Sequence, residues 1–232
     1  MKLKRYLLPV LSIFLIIILF MVYFPSTTVF HTSREQAVIV IDVGHGGFDP
    51  GMVSPDQQLE KDLNLAIALR LKSYLEAQDC LVYLTRDSDC SLSDVNASNK
   101  KQSDMRNRIA FVDAHQPDLM ISIHQNSFSS PAEHGAQSFY YYSSASSRKL
   151  AEQIQSSLIE LADPSNTRSA KSNDSYYVLK NVSCPAVIVE CGFMSNPTES
   201  ALLNAPIYQE KLAYAISVGV RQYLNTEAGI MG

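Results

Sequence analysis

Short apolar runs alternate with longer amphipathic segments along the chain from about residue 37 onward. The runs are rich in β-branched and aromatic residues and comprise Ala37–Asp42, Leu81–Thr85, Asp118–Ile123, Ala136–Tyr142, Tyr176–Leu179 and Ala186–Glu190. Three of them are almost wholly apolar, as is typical of strands covered on both faces. We therefore predict an α/β fold, a single domain in which helices flank a six-stranded sheet that is mostly parallel or mixed.

Apolar residues recur at helical spacing between these runs. From Leu63 to Leu75 they return every three or four positions, which predicts a helix from about Glu60 to Ala77. The same spacing predicts three further helices, over Met105–Ala114, Ser146–Ala162 and Pro206–Leu224. The segment Asp87–Ser103 is rich in Ser, Asp and Asn and has no periodicity, so we predict a surface loop there.

The N-terminus has a different composition, because Leu7–Phe24 contains no charged residue. A helix of this length would measure about 27 Å, close to the ~30 Å hydrocarbon core of a bilayer. Lys2, Lys4 and Arg5 precede the run, which predicts a transmembrane helix with a cytoplasmic N-terminus and an extracytoplasmic remainder. A cleaved signal peptide is the alternative, although the run is long for one and no small-residue cleavage motif follows it.

We accordingly divide the chain into residues 1–36, which hold a cytoplasmic tip, the membrane anchor or uncleaved signal, and a spacer, and an exported domain, residues 37–232. The whole chain has a formal charge of −4. Residues 1–36 carry four of the 19 basic side chains and one of the 23 acidic ones. The exported domain therefore has 15 basic and 22 acidic side chains and a formal charge of −7. Such a domain lacks the basic surface that binds a phosphate backbone, so we expect no nucleic-acid partner.

Four cysteines in an oxidising compartment could form disulfides. Cys184 and Cys191 flank a predicted strand, which would hold them about 23 Å apart and exclude a bridge. A bridge between Cys80 and Cys90 is sterically allowed. Four reduced and mostly buried cysteines are the other interpretation.

Two histidines and a carboxylate stand at the ends of three predicted strands. His45 follows the first strand, His124 ends the third and Glu190 ends the last. Ligands of open α/β sheets bind beyond the carboxyl ends of the strands. If these strands are parallel neighbours, the three side chains converge on one crevice.

A catalytic zinc ion takes three protein ligands, and two histidines with one carboxylate are a known set. Glu60, in the first turn of the helix after His45, is a candidate for the third ligand. Three aspartates compete with it, and spacing does not decide between them: Asp42, Asp49 and Asp56. The residues alone thus predict a metal-assisted hydrolase with Glu190 as general base.

Six motifs in order resemble the amidase type 3 family of zinc-dependent N-acetylmuramoyl-L-alanine amidases, which cut the amide between the lactyl group of muramic acid and L-Ala in peptidoglycan. They are Ile41–Gly51, Glu60–Asp62, Leu84–Arg86, Ser122–Asn126, Gly135–Tyr140 and Val189–Asn196. The resemblance implies one Zn²⁺ held by His45, Glu60 and His124, Glu190 as the catalytic carboxylate, peptidoglycan as substrate, and residues 37–232 as the catalytic domain.

Within the family, three segments are most similar to the CwlD-type sporulation and germination amidases: Gly135–Tyr141, Asn166–Arg168 and Tyr177–Val182. Those enzymes act with a deacetylase to form muramic-δ-lactam in the spore cortex. Together with the anchor predicted from the N-terminal run, the resemblance implies an enzyme that acts outside the cytoplasm, in the developing spore envelope. An unidentified activating envelope protein is a further candidate partner. Val43 stands where the family commonly has proline, which predicts a less rigid loop before His45.

Two other functions remain open from the sequence. Cys191 and His124 could serve as nucleophile and base of a thiol amidase. The chain could also bind peptidoglycan without catalysing any reaction.

Overall fold

The computed structural model describes residues 36–230, with side chains as far as residue 227, and Ile13 and Leu15 of the N-terminal segment. The chain divides into two compact units, Met1–Glu35 and Gln36–Gly232. Apart from those two positions, the predicted membrane anchor at Leu7–Phe24 lies outside the described residues. None of the helices that the structure describes is long and apolar enough to cross a membrane.

The second unit is built on one mixed sheet. Its described strands are β1 (Val38–Val43), β2 (Leu81–Leu84), β3 (Leu119–Asn126), β4 (Gln137–Tyr141), β5 (Lys171–Asn173) and β6 (Ala186–Phe193). They are ordered β2-β1-β3-β6-β4-β5. The first four strands in this order, β2, β1, β3 and β6, are parallel to one another. β4 runs antiparallel to β6, and β5 runs parallel to β4. The predicted single α/β domain with a six-stranded mixed sheet is confirmed.

Helices cover both faces of the sheet. They are α1 (Glu60–Glu76), α2 (Lys100–His115), α3 (Ala145–Ser157), α4 (Tyr177–Asn181), α5 (Pro197–Asn204) and α6 (Pro206–Ile230), and a π-helical turn, Leu158–Ala162, continues α3. All four predicted helices are present. The predicted surface loop ends earlier than expected, at Asn99, because the Asn99 side chain accepts a hydrogen bond from the Gln102 amide and caps α2.

The strand predicted over Tyr176–Leu179 is wrong, since this segment forms the start of α4. The carboxamide oxygen of Asn173 accepts hydrogen bonds from the amides of Ser175 and Tyr176, which turns the chain out of β5 and into the helix. Val178 and Leu179 are both buried. A short apolar run of this kind does not distinguish a buried helical turn from a strand.

Two hydrophobic clusters lie on opposite faces of the sheet. The larger joins the odd-numbered residues of β1, β3 and β6 to α1, α3 and α6, whereas the smaller joins Val40, Met120 and Ile188 to α2 and α4. Successive side chains of a strand point to opposite faces. Asp42, His124 and Glu190 therefore lie on the face covered by α2 and α4.

Candidate active site

Three neighbouring parallel strands bring the predicted site residues to one edge of the sheet. β1 pairs with β3, with Val43 opposite Ile123, and β3 pairs with β6, with His124 opposite Glu190. His45 lies two residues beyond the end of β1. The structure thus places both histidines and Glu190 at the same carboxyl edge.

Glu60, the first residue of α1, joins the two histidines. Its Oε1 atom lies 3.1 Å from His45 Nε2 and 3.0 Å from His124 Nδ1. One possible ligand atom from each of the three residues lies within 4.8 Å of the others. The imidazole rings meet edge to face, with centroids 4.9 Å apart.

Two members of this cluster, His45 and Glu60, are oriented by further contacts. Asp49 Oδ2 lies 3.0 Å from His45 Nδ1, which leaves Nε2 facing Glu60. Glu60 Oε2 accepts a hydrogen bond from the Met52 amide at 2.8 Å, and Oε1 accepts one from the Gln125 amide at 3.1 Å. Contacts of this type fix the direction in which ligand atoms point.

Two glycines allow the cluster to close. A Cβ atom at Gly44 would overlap the imidazole of His124, and one at Gly51 would overlap the Glu60 side chain and the ring of His45. Gly51 also has a φ of +68°, in the left-handed region that favours glycine. Both positions are therefore restricted to glycine by the close approach of the site residues.

The cluster is strongly polarised. Burial alone would raise the pKa of Glu60, but the hydrogen bonds to His124 and His45 outweigh it and hold the pKa far below its usual value. Burial would lower the pKa of His124, and the hydrogen bond to Glu60 reverses this, so that the pKa is raised. An anionic oxygen thus lies between two imidazole nitrogens.

This arrangement fits a divalent metal ion. Two ligands at about 2.1 Å from a tetrahedral zinc ion are about 3.4 Å apart, near the spacings found here. The donor set of two histidines and one carboxylate is also one that zinc uses in catalytic sites. The three side chains can therefore bind a metal with little rearrangement.

The competing aspartates have other contacts. Asp42 lies 2.7 Å from Arg108 Nη1 and accepts a hydrogen bond from Ser122 Oγ at 2.6 Å. Asp49 orients His45 from outside the cluster. Asp56 is exposed in a turn. The geometry consequently favours Glu60 as the third ligand.

Glu190 faces the same cavity as the two histidines. It is 7% exposed, its Oε1 accepts a hydrogen bond from the Tyr176 hydroxyl at 3.3 Å, and its buried Oε2 has no hydrogen-bond partner. Burial raises the pKa of Glu190 above its usual value, against the opposing effect of nearby His124. A buried carboxylate with one free oxygen is suited to accept a proton from a water molecule.

The outer part of the cavity is formed by side chains from α2, α4 and the loop after β1. They include Phe48, Lys101, Met105 and Tyr177. Phe48, Lys101 and Tyr177 are exposed. The cavity therefore opens to solvent and can admit a substrate from outside.

Cys191 lies on the opposite face of the sheet from Glu190. Its side chain is fully buried in the larger hydrophobic cluster, and burial raises the pKa of the thiol. A neutral thiol on that face does not reach the cavity, so the structure gives no support to a thiol amidase. The structure joins no two of the four cysteines by a disulfide; Cys80 and Cys191 are buried, Cys184 is half-buried and Cys90 is exposed.

Comparison with known proteins decides the family. The sequence model of the N-acetylmuramoyl-L-alanine amidases matches residues 39–222. The chain belongs to this amidase family. The match spans β1 to most of α6 and so includes every residue of the cluster and Glu190.

Curated and solved amidases share the sequence and the fold. The chain is 40% identical over 195 residues to the germination-specific N-acetylmuramoyl-L-alanine amidase of Bacillus subtilis, covering 83% of this chain and 81% of that protein. It matches the CwlD amidase of Clostridioides difficile, solved in complex with the GerS lipoprotein, with a TM-score of 0.80 and 38% identity, covering 82% and 100% of the two chains. Another amidase structure, from Clostridium difficile 630, matches with a TM-score of 0.74 and 29% identity and covers 83% of this chain and 98% of that chain.

Sequence reasoning missed two residues of the amidase site, Tyr176 and Arg108. A strand predicted over Tyr176–Leu179 gives the Tyr176 hydroxyl no particular direction. Arg108 carried a signal that could have been used, because it lies one helical turn from Val112 and Asp104. A charged residue on the apolar face of a helix requires a buried partner, and Asp104 and Asp42 provide it.

Proposed function

We propose that this chain is a zinc-dependent N-acetylmuramoyl-L-alanine amidase that hydrolyses the amide between the lactyl group of muramic acid and L-Ala of the peptidoglycan stem peptide. Family membership supports the reaction. The observation that carries the mechanism is the cluster of His45, Glu60 and His124, whose two histidines line the same cavity as Glu190 with its free Oε2.

In this proposal the side chains of His45, Glu60 and His124 would hold the zinc ion. Zinc in such a site acts as a Lewis acid towards a carbonyl and towards water. Glu190 Oε2 removes a proton from the attacking water and returns it to the nitrogen of L-Ala as the amide breaks. Tyr176 holds the other oxygen of Glu190, so that the free oxygen keeps one direction.

The surroundings of Glu190 support this role. A general base works best when its pKa lies near the working pH, and burial moves the pKa of this carboxylate upward from its usual value. The pKa of the nearby Glu60 is instead lowered, by its hydrogen bonds to the two histidines. Two carboxylates in one site are thereby suited to two roles, ligand and base.

We also infer a role in the spore cortex, which rests on the similarity to the germination-specific amidase of Bacillus subtilis. Amide cleavage frees the lactyl carboxyl group of muramic acid. That carboxyl is the group that closes into muramic-δ-lactam once a deacetylase has exposed the neighbouring amine. The chain would thus supply the first of two steps.

In this proposal residues 1–36 anchor the enzyme and residues 37–232 act outside the cytoplasm. Because the domain carries a charge of −7, electrostatics does not attract it to an acidic glycan, and an anchor or a partner has to position it. The C. difficile CwlD amidase forms a complex with the GerS lipoprotein, which supports an envelope lipoprotein as partner here.

Membrane fractionation, combined with protease added outside the cell, tests the anchor. We expect the chain in the membrane fraction, with its domain cleaved by the external protease. A soluble cytoplasmic chain would contradict the proposal.

The central experiment is an assay of the full-length chain on purified muropeptides, read by mass spectrometry. We expect stem peptides with a free N-terminal L-Ala, loss of activity with a chelator and recovery with Zn²⁺. The variant His124→Ala should lose both zinc and activity. Muropeptides that are bound but not cleaved at saturating Zn²⁺ would indicate a silent binding protein, and inhibition by alkylation but not by chelation would indicate thiol chemistry.

A further inference from the structure

Two buried arginines hold the backbone that carries His45. The carbonyl of His45 accepts hydrogen bonds from Arg108 Nη2 at 2.7 Å and from Arg86 Nε at 2.8 Å. The carbonyl of Val43 accepts from Arg108 Nη1 at 2.7 Å and from Arg86 Nε at 3.2 Å. Gly44 between them accepts from Arg86 Nη2 at 3.0 Å. Three consecutive carbonyls are therefore bound by guanidinium groups.

The backbone held in this way is strained. His45 has a φ of +60°, a left-handed conformation that residues other than glycine seldom adopt. Such a conformation persists only where the surrounding contacts determine it. Hydrogen bonds to the carbonyls of Val43, Gly44 and His45 provide those contacts.

Arg108 also links this loop to the strand that carries His124. Its Nη1 atom lies 2.7 Å from Asp42 Oδ1, and Asp42 Oδ2 accepts a hydrogen bond from Ser122 Oγ at 2.6 Å. Ser122 precedes His124 by two residues on the same face of β3. A second carboxylate, Asp104, fixes the Nε side of the guanidinium at 2.6 Å. One side chain of α2 thus connects the elements bearing two of the three cluster residues.

We propose that Arg108 is a positioning residue for the metal site. It fixes the backbone of His45 directly, and through Asp42 and Ser122 it fixes the distance between His45 and His124. The proposal rests on the metal-dependent function proposed above. Lysine cannot replace Arg108, because a single ammonium group lacks the planar fork that reaches two carbonyls and two carboxylates together. Arg86, in contrast, donates to the loop carbonyls and to the carbonyl of Lys61, and makes no ion pair with Asp42 or Asp104.

The same network uses the backbone amide at position 43, which a proline would lack. The amide of Val43 donates a hydrogen bond to Thr85 Oγ1 at 2.9 Å, and that hydroxyl donates to Asp42 Oδ1 at 3.1 Å. A proline at this position has no amide hydrogen and could not make the first bond. The polar network therefore takes the place of the rigidity that a proline ring would give.

The test compares Arg108→Lys with Arg106→Lys, which changes an exposed arginine two residues away on α2. Zinc affinity is measured by competition with a chromophoric chelator, and folding by circular dichroism and thermal melting. We expect folded Arg108→Lys to bind Zn²⁺ about 10- to 100-fold more weakly, the usual effect of losing an outer contact to a metal site. Arg106→Lys should bind as the unaltered chain does. A folded Arg108→Lys variant with unaltered zinc affinity would overturn the proposal.

Ser122→Ala serves as the second variant should Arg108→Lys fail to fold. It removes one hydroxyl from a buried position with almost no change of shape, so the fold should persist. It loses the hydrogen bond that ties Asp42 to β3. We expect several-fold weaker zinc binding in a folded variant whose melting temperature is lowered, because a buried oxygen of Asp42 loses its donor. Unaltered zinc affinity would overturn the link to His124.

His124→Ala separates this inference from the proposed function. If the unaltered chain binds no zinc, or if His124→Ala binds it equally well, the proposed metal site itself fails. If His124→Ala abolishes binding and Arg108→Lys leaves it unchanged, only the positioning role fails. A visible spectrum of the Co²⁺-loaded chain gives a second readout, because a displaced His45 should change its d–d bands in Arg108→Lys.

Discussion

Glu190 and Glu199 are two buried carboxylates on either side of the end of β6, and they differ in their hydrogen bonds. They are 7% and 6% exposed, and burial raises the pKa of both. Glu199 Oε1 accepts from the Gly135 amide at 2.9 Å and Oε2 from the Phe193 amide at 2.8 Å. Glu190 has one partner, Tyr176, and its Oε2 has none.

The comparison teaches that burial and a raised pKa do not identify a catalytic carboxylate. Glu199 uses both oxygens to join the end of β6 to the loop before β4, which is a structural task. Glu190 keeps a free oxygen in a cavity, and one long hydrogen bond from Tyr176 and the nearby His124 offset its desolvation only in part. The unsatisfied oxygen is the feature that sets Glu190 apart, and exchanging each residue for its neutral isostere should separate the two roles.

Glu190→Gln should have the largest effect on activity. The carboxamide has nearly the same shape but cannot accept a proton from water, and general base catalysis typically contributes about 10²- to 10⁴-fold. We expect muropeptide cleavage to fall by that factor while zinc content and melting temperature stay close to those of the unaltered chain. A loss of less than about tenfold, set against that contribution, would remove Glu190 from the mechanism.

Glu199→Gln should have the opposite profile. One side of its carboxamide is an NH₂ group that would face a backbone amide donor, leaving a buried hydrogen bond unmade at a cost of about 1–3 kcal/mol. We expect the free energy of unfolding to fall by that amount in denaturant titrations, with activity per folded molecule unchanged. Lost activity at full stability would contradict the structural role.

Much of the placement of the site could be predicted from the sequence. The apolar runs of two predicted strands lead up to His124 and Glu190, and His45 follows a third. Because ligands bind at the carboxyl edge of such sheets, a shared position along three strands was informative where each residue alone was not. In the structure, the alternation of β6 also places Cys191 on the face opposite Glu190.

The third member of the cluster could not be predicted from spacing, because Glu60 is brought to the two histidines by contacts with residues distant in sequence. Its oxygens meet the amides of Met52 and Gln125, brought together only by the turn before α1 and by β3. The same limit applies to Glu190 and Glu199, whose partners come from separate elements. The helical Tyr176–Leu179 segment was missed because the turn at Asn173, rather than the apolar pattern, determines its conformation.

Tyr176→Phe should have the smallest effect on activity. It tests whether the Tyr176 hydroxyl, by binding one oxygen of Glu190, orients the other. The change removes the single hydrogen bond to Oε1 but keeps the aromatic ring, which meets Phe139 edge to face with centroids 5.5 Å apart. A hydrogen bond to a charged group is worth about 1.5 kcal/mol, or roughly tenfold in rate when the lost bond orients the base. We expect kcat to fall by up to that factor while KM and zinc affinity are unchanged. Tyr142→Phe, exposed at the far end of β4, is the matched control and should have no effect. If Tyr176→Phe raised KM and left kcat unaltered, the hydroxyl would contact substrate rather than hold Glu190, and the carboxylate would have to be oriented by its burial alone.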